Sequence, residues 1–304
     1  MSSSRCIVGI DMGGTRIKAV LHNAATDEEI DRKIQPTGDT GATDGTPPWA
    51  TAIKELIEAW EQEHGVIIEA VGIACPGLTS RDERVIEYLP GKLEGLEGFN
   101  FSEFLGRHSR MINDAHAAML GELAEGAAQG KRDLVMLTLG TGVGGAILSN
   151  GQLLRGRIGR AGHCGHLCLD PSGELSATGT PGSLEDAIGN HSVKQRSNGR
   201  FESTLELINA VNEGDEEAKA IWDKSVEALA CGVCSLINII DPEAVLIGGG
   251  IAEVGDLLFK PLAAHLDRIE WRPGGQSVDI LHASLGEWAG AIGALANIKQ
   301  PKAS

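Results

Sequence analysis

The sequence is short of basic residues, of aromatics and of long apolar runs. Against 42 acidic residues stand 26 lysines and arginines, a formal net charge of −16. That sign repels phosphodiester backbones and anionic membrane surfaces at long range, so neither nucleic acid nor a membrane is expected as a partner. No stretch approaches the ~20 apolar residues of a membrane helix. Asp11 interrupts the first apolar segment too early for a secretory leader, which points to a soluble cytoplasmic protein. Six cysteines, at 6, 75, 164, 168, 231 and 234, are too sparse in 304 residues for a disulfide framework, and their mostly apolar surroundings suit reduced, buried thiols. Aromatics are few, five Trp, one Tyr and five Phe, yet an apolar fraction of 42% is enough for a full core and excludes a disordered chain. The length suggests two domains.

Two familiar nucleotide signatures are also missing. No G-x-x-x-x-G-K-[ST] occurs, which removes the P-loop enzymes. Gly140, Gly142 and Gly145 satisfy G-x-G-x-x-G, but a strand rather than a helix follows them, so the dinucleotide fold is rejected.

What is present is a repeated strand, glycine turn, strand plan. Val8–Ile10 and Ile17–Leu21 flank Asp11-Met12-Gly13-Gly14-Thr15, and Val135–Thr138 and Ala146–Leu148 flank the glycines of 140–145. Two copies imply two like-folded domains facing each other across a cleft, the usual way to build a phosphate site. Around them the pattern predicts a strand over Glu29–Gln35, helices over 49–64 and 115–128, and strands at Val71–Ala74 and Met111–Ile112. Further on it predicts a loop-rich 150–200, helices between 202 and 240 and over 256–268, strands at Ala244–Ile247 and Val278–His282, and a closing helix over 287–299. The order is α/β. We expect a first domain of residues 1–115 plus about 287–304 and a second of 116–286.

The glycine tips read either as ordinary tight turns or as cradles whose backbone N–H groups meet phosphate oxygens, with Thr15 and Thr141 as extra donors. A third glycine run, Gly248-Gly249-Gly250, and Asp11, able to hold Mg²⁺ through water, favour nucleotide binding. Asn113-Asp114 sits where a strand gives way to a helix. The pair is a natural N-cap, and its carboxylate is equally a candidate base for a substrate hydroxyl attacking a γ-phosphorus. Ser183 and Asp186 have capping-box spacing around Glu185.

Taken together, D-M-G-G-T (11–15), C-P-G (75–77), N-D-A-H-A-A-M-L-G-E (113–122), L-G-T-G-V-G-G-A (139–146), A-G-H-C-G-H (161–166) and D-P-E-A-V-L-I-G-G-G (241–250) resemble the ROK family of sugar kinases and sugar-responsive repressors, within the actin-like ATPase superfamily. The resemblance implies two actin-like ATPase (ribonuclease H-like) domains around a central cleft, closing on a sugar and Mg-ATP, in a homodimer. It makes Asp114 the catalytic base and Asn113 a sugar ligand. It places Asp11, Gly13, Gly14, Thr15 and Arg16, with Gly140, Thr141, Gly142, Gly144 and Gly145, on the ATP phosphates, and Gly248, Gly249 and Gly250 near adenosine. His166 and Glu185, with His163, fall at sugar-contacting positions.

The chain departs from the family pattern in three places. The family's A-G-E-x-G-H has His163 where Glu contacts the sugar, exchanging an acceptor for a group that can donate. Leu89-Pro90-Gly91-Lys92 stands where a sugar-binding Asn in P-N-L is usual. Many members hold a structural zinc with the second His of that motif and three cysteines; here the cysteine positions are Ser176, Thr178 and Ser183, poor zinc ligands, so no zinc is expected. A substitute set of His163, Cys164, His166 and Cys168 would point to opposite faces of a strand. Cys231 and Cys234 read as a buried helix face. Arg155, Arg157 and Arg160 either meet an anionic substrate or form a solvated loop.

The reading that follows is an ATP-dependent kinase of a hexose or hexose derivative. The alternatives are a sugar sensor of the same fold with little turnover, and a repressor, whose DNA-binding helices would have to precede the first strand. The phosphoryl donor is ATP or polyphosphate.

Overall fold

The computed structural model describes residues 4–38, 45–89, 91 and 93–301. By internal contacts the chain divides into unit 1, residues 1–129, 155–161 and 287–304, and unit 2, residues 130–154 and 162–286.

Unit 1 begins with β1 (Arg5–Met12), β2 (Arg16–Asn23) and β3 (Glu29–Pro36), then α1 (Pro48–His64) and β4 (Ile67–Cys75). The small hairpin β5 (Leu78–Thr79) and β6 (Ile86–Tyr88), α2 (Phe101–Leu105), β7 (His108–Asn113) and α3 (Asp114–Glu125) follow. Its sheet runs β3-β2-β1-β4-β7, antiparallel on the hairpin side and parallel on the other. The alternation of β1 sorts its residues by face. Cys6, Val8, Ile10 and Met12 join the core of Trp49, Ile53, Ile57 and Trp60 from α1. On the opposite face a Cβ on Gly9 would lie 2.6 Å from Leu295 Cβ. That face receives the last helix, α9 (Ala289–Lys299), which also packs along α3 through Gly121 and Gly293. Pro48 opens α1, and Gly65, at φ 63°, closes it.

Unit 2 contains β8 (Leu134–Leu139), β9 (Val143–Ser149), β10 (Gln152–Leu153), α4 (Leu184–Ile188), α5 (Val193–Arg196), α6 (Thr204–Asn212), α7 (Glu216–Ile240), β11 (Ala244–Gly248), α8 (Asp256–Ile269) and β12 (Asp279–His282). Its sheet, β10-β9-β8-β11-β12, repeats the order and strand sense of the first. Val135, Leu137, Leu139, Val245 and Ile247 pack on Trp222, Val226, Leu229 and Val233 of α7 and on Leu258, Leu262 and Leu266 of α8.

The structure corrects the sequence reading at several points. Residues 116–129 belong with unit 1, because the small residues of α3 let α9 come within backbone contact of them. Residues 155–161 return to unit 1 as well. Arg155 is no solvated loop residue: it pairs with buried Glu83, which also holds Arg110, and Arg110 Nη1 donates to the carbonyls of Asn297 at 2.9 Å and Gln300 at 2.7 Å. Cys231 is exposed and Cys234 half-buried, since the apolar stripe of α7 runs through Trp222, Val226, Leu229 and Val233 and leaves Cys231 off it. Cys168 is exposed too, while Cys6, Cys75 and Cys164 are buried. Residues 164–166 form a 3₁₀ turn rather than a strand. Pro90 and Lys92 lie outside the described residues.

Candidate active site

In unit 1 the candidates gather at the C-terminal ends of β1 and β7. Asn113 ends β7 and is the N-cap of α3; its side-chain oxygen accepts from the N–H groups of Ala115 at 3.0 Å and His116 at 3.2 Å, and its Nδ2 donates to Gly77 O at 3.2 Å. Asn113 is 6% exposed, so it is fixed by both sides of its amide. Asp114, the first helical residue, is exposed, and Ala115 N–H donates to its Oδ1 at 2.9 Å.

Asp11 closes β1 beside it. Burial, and secondarily the negative charge of Asp114, push its carboxyl up to about 6, against the opposing pull of Lys18 Nζ at 3.7 Å. A Cβ on Gly290 would lie 2.8 Å from Asp11 Cγ, so α9 needs glycine there to admit the carboxyl. Buried Cys75, at the end of β4, is raised by burial first and then by both aspartates. The tip between β1 and β2 is a tight turn, Gly13 N–H to Arg16 O at 3.0 Å, buttressed by Thr37, whose Oγ1 donates to Gly13 O at 2.7 Å. Gly14, Thr15 and Arg16 are exposed on it, and a Cβ on Gly14 would meet nothing within 4 Å.

In unit 2 only Gly140, Thr141 and Gly142 form the equivalent turn, with Gly140 N–H donating to Gly142 O at 3.0 Å. Gly144 and Gly145 already lie in β9, opposite Thr138 and Leu137. Gly145 is bare because Gly162 O and Cys164 crowd it. The turn is pinned from behind: Asn190 N–H donates to Gly140 O and His191 N–H to Thr141 O, both at 2.9 Å, and His191 Nδ1 donates to Thr141 O at 2.7 Å.

A cavity of about 290 Å³ opens beside this turn, lined by Gly140, Thr141, Thr204, Leu205, Ile208 and Ile251. Gly250 also borders it, whereas Gly248 ends β11 against Ala283 and Gly249, at φ 86°, turns the chain past Leu139. Thr204 is 5% exposed and its Oγ1 has no hydrogen-bond partner, an orphaned donor beside the apolar side chains of Leu205, Ile208 and Ile251. Sequence reasoning missed Asn190, Thr204, Leu205 and Ile208, which carry no motif.

His163 precedes the 3₁₀ turn that carries His166, and their rings lie 17° from parallel with centroids 6.3 Å apart. His166 Nδ1 faces Glu185 Oε1 at 3.2 Å. Each favours the other's charged form: Glu185 raises His166, and His166 lowers Glu185. A Cβ on Gly142 would lie 2.7 Å from Glu185 Oε2, so the turn is glycine where this carboxylate approaches. Ser183 Oγ caps α4 by accepting from Asp186 N–H at 3.2 Å, which leaves Glu185 one residue inside the helix.

The chain matches the ROK family over residues 7–301. It belongs to the ROK family. It is 31% identical to the glucokinase of Thermotoga maritima, over 97% of each chain, and 31% identical to the N-acetylmannosamine kinase of Shigella boydii, over 94% of this chain and 96% of that one. A crystal structure of a ROK family glucokinase from Streptomyces griseus in complex with glucose and AMPPNP superposes with a TM-score of 0.77 at 27% identity, covering 97% of this chain and 100% of that one. The fold is the actin-like, ribonuclease H-like ATPase fold of ROK sugar kinases.

The donors at the position of the family's zinc do not fit that ion. Ser176 Oγ and Thr178 Oγ1 are 3.0 Å apart, and Thr178 Oγ1 is 3.4 Å from His166 Nδ1, while Ser183 Oγ donates to Asp186 Oδ2 at 2.7 Å. Neutral hydroxyls bonded to one another replace thiolates here. Among the described residues the one cluster of three ligating side chains is Asp31, Glu63 and His64, elsewhere in unit 1.

Proposed function

We propose that this ROK protein is an ATP-dependent sugar kinase, transferring the γ-phosphoryl group to a hydroxyl of a hexose or hexose derivative. The observation that carries the reading is Asp114: an exposed carboxylate at the first position of α3, anchored by buried Asn113, close enough to Asp11 to raise its pKa. In this reading Asp114 accepts the proton of the attacking hydroxyl, a role contributing roughly 10² to 10⁴ in rate. In this reading Asn113 is the sugar-ligand candidate of unit 1, and His163, His166 and Glu185 are the sugar-ligand candidates of unit 2.

ATP rather than polyphosphate is supported by the cavity walled by Leu205, Ile208 and Ile251, which suits a purine that polyphosphate lacks. Thr204 Oγ1 is available to the nucleoside, and the tips carry no Cβ at Gly14 and Gly140 to keep phosphate oxygens from the backbone. Asp11 would hold Mg²⁺ through water; when bound, the ion neutralises phosphate charge. Structural zinc has no part in this reading.

The relatives named above act on glucose and on N-acetylmannosamine, and His163 is the residue we expect to sort such acceptors. We propose a homodimer, in which exposed apolar side chains of unit 2 such as Ile239, Ile269 and Trp271 would be covered. With ATP as donor, we place the protein in the cytoplasm. A coupled ADP-release assay with Mg-ATP across glucose, mannose, fructose, allose, glucosamine and the N-acetylhexosamines tests the reading. Release that depends on one of these sugars is expected; sugar or nucleotide binding without release would favour a sensor.

A further inference from the structure

Arg81 and Arg157 are cations that the candidate active site leaves unused. Both are exposed, and neither is ion-paired to a described carboxylate. Together with Thr79, His116, Arg155 and Gly159 they line a small cavity of about 30 Å³ in unit 1 that opens to solvent. Among the described residues no acidic side chain lines it. The two carboxylates nearest in sequence are occupied elsewhere: Asp82 accepts from Ser80 Oγ at 2.7 Å, and Glu83 is held between Arg110 and Arg155. Arg155 therefore forms the wall, and Arg81 and Arg157 supply the free charge.

Thr79 gives a second, independent sign of a ligand. It is 6% exposed, and its Oγ1 is buried without a hydrogen-bond partner. The loop that carries Arg157 is fixed over it, because a Cβ on Gly159 would lie 3.0 Å from Thr79 O, and His116 Nε2 donates to Ala161 O at 3.0 Å. In a chain of net charge −16, a cavity that gathers arginines, excludes acids and leaves a buried hydroxyl unpaired is complementary to a small oxyanion. Guanidinium forks match the oxygens of phosphate or carboxylate, and the hydroxyl can donate to a third oxygen.

We propose that this cavity binds a small oxyanion through Arg81, Arg157 and the Thr79 hydroxyl. Two sources share that chemistry, a free inorganic anion and the acidic substituent of a sugar. His116 lies two residues beyond Asp114 on α3, so an acidic sugar held here would lie near the candidate base. Anion binding itself does not rest on the kinase reading.

The test is calorimetric titration of the full chain with inorganic phosphate at constant ionic strength, with the nucleotide site saturated by AMPPNP. The wild type should show saturable binding, and R81Q/R157Q should bind at least about tenfold more weakly while its AMPPNP affinity is unchanged. Thr79→Val is the second arm. It should raise the Tm without phosphate, because an unpaired buried hydroxyl is removed, and should weaken phosphate binding. Absence of saturable phosphate binding by the wild type, or equal binding by all three proteins, would overturn the proposal. Glucose 6-phosphate and glucuronate, each compared with glucose, distinguish the sources. A sugar acid bound much more tightly than phosphate assigns the cavity to a substrate's substituent, and equal affinity assigns it to a free anion. Because every readout is binding, a protein without turnover is tested equally well.

Discussion

Asp11 joins stability and function in one titration. Its native pKa of about 6 lies above the ordinary aspartate value of 3.8, so the folded protein binds the proton more tightly than the unfolded chain does. Stability therefore falls as the pH rises from about 4 through 6, and above that the ionised carboxylate costs on the order of 3 kcal/mol. Asp11→Asn should raise the Tm at pH 7.5, lose that advantage at pH 4.5, and suppress activity at both. In the wild type, Mg²⁺ affinity measured by calorimetry should fall as the pH drops through about 6, where the proton competes for the carboxylate; an affinity that is flat across that range would contradict a role for ionised Asp11. Gly142 and Gly145 separate in the same way. Alanine at 142 meets only the far end of Glu185, so it should leave stability nearly intact and raise the sugar KM by roughly tenfold through the displaced carboxylate. Alanine at 145 meets backbone at Gly162 and should instead lower the Tm in thermal melts.

At the scale of elements, the long helices and strands were legible: α1 carries apolar residues on one face at 53, 56, 57 and 60, and β1 is a β-branched apolar run that ends at a glycine turn. The β5–β6 hairpin, α2, α4 and α5 are too short for a period to emerge. Nor could hydropathy find Glu83, an acidic residue in a polar run that is buried because two arginines meet it and that takes a φ of 60°. Glu83→Gln leaves Arg110 and Arg155 without their common anion and should destabilise unit 1 by about 3 kcal/mol in urea unfolding. The contact of α3 with α9 is as demanding. Gly293 lies against the backbone of Ala117, so Gly293→Ala should cost about as much, whereas alanine at Gly14, which meets nothing, should be nearly neutral.

For the whole molecule, the duplicated strand-turn-strand plan and the spaced motifs made the ROK resemblance legible across almost the full chain, and with it the candidate base. The walls of the cavity beside the Gly140 turn were not legible, because Asn190, Thr204, Leu205 and Ile208 are ordinary residues brought together only by the turn into α6. Unit boundaries at 116–129 and 155–161 were blurred for a related reason: both segments join unit 1 through contacts distant in sequence. The replacement of thiolates by Ser176, Thr178 and Ser183 was plain in the sequence, and it predicts that protein purified without chelator carries no stoichiometric zinc by plasma mass spectrometry and keeps its Tm in EDTA. The measurement that bears most directly on the account compares wild type and Asp114→Asn in sugar-dependent phosphoryl transfer from ATP, with sugar and AMPPNP binding measured in both. A loss of kcat of about 10² or more with binding retained is the predicted result; a variant that turns over as fast as wild type would contradict the assignment of Asp114 as the base.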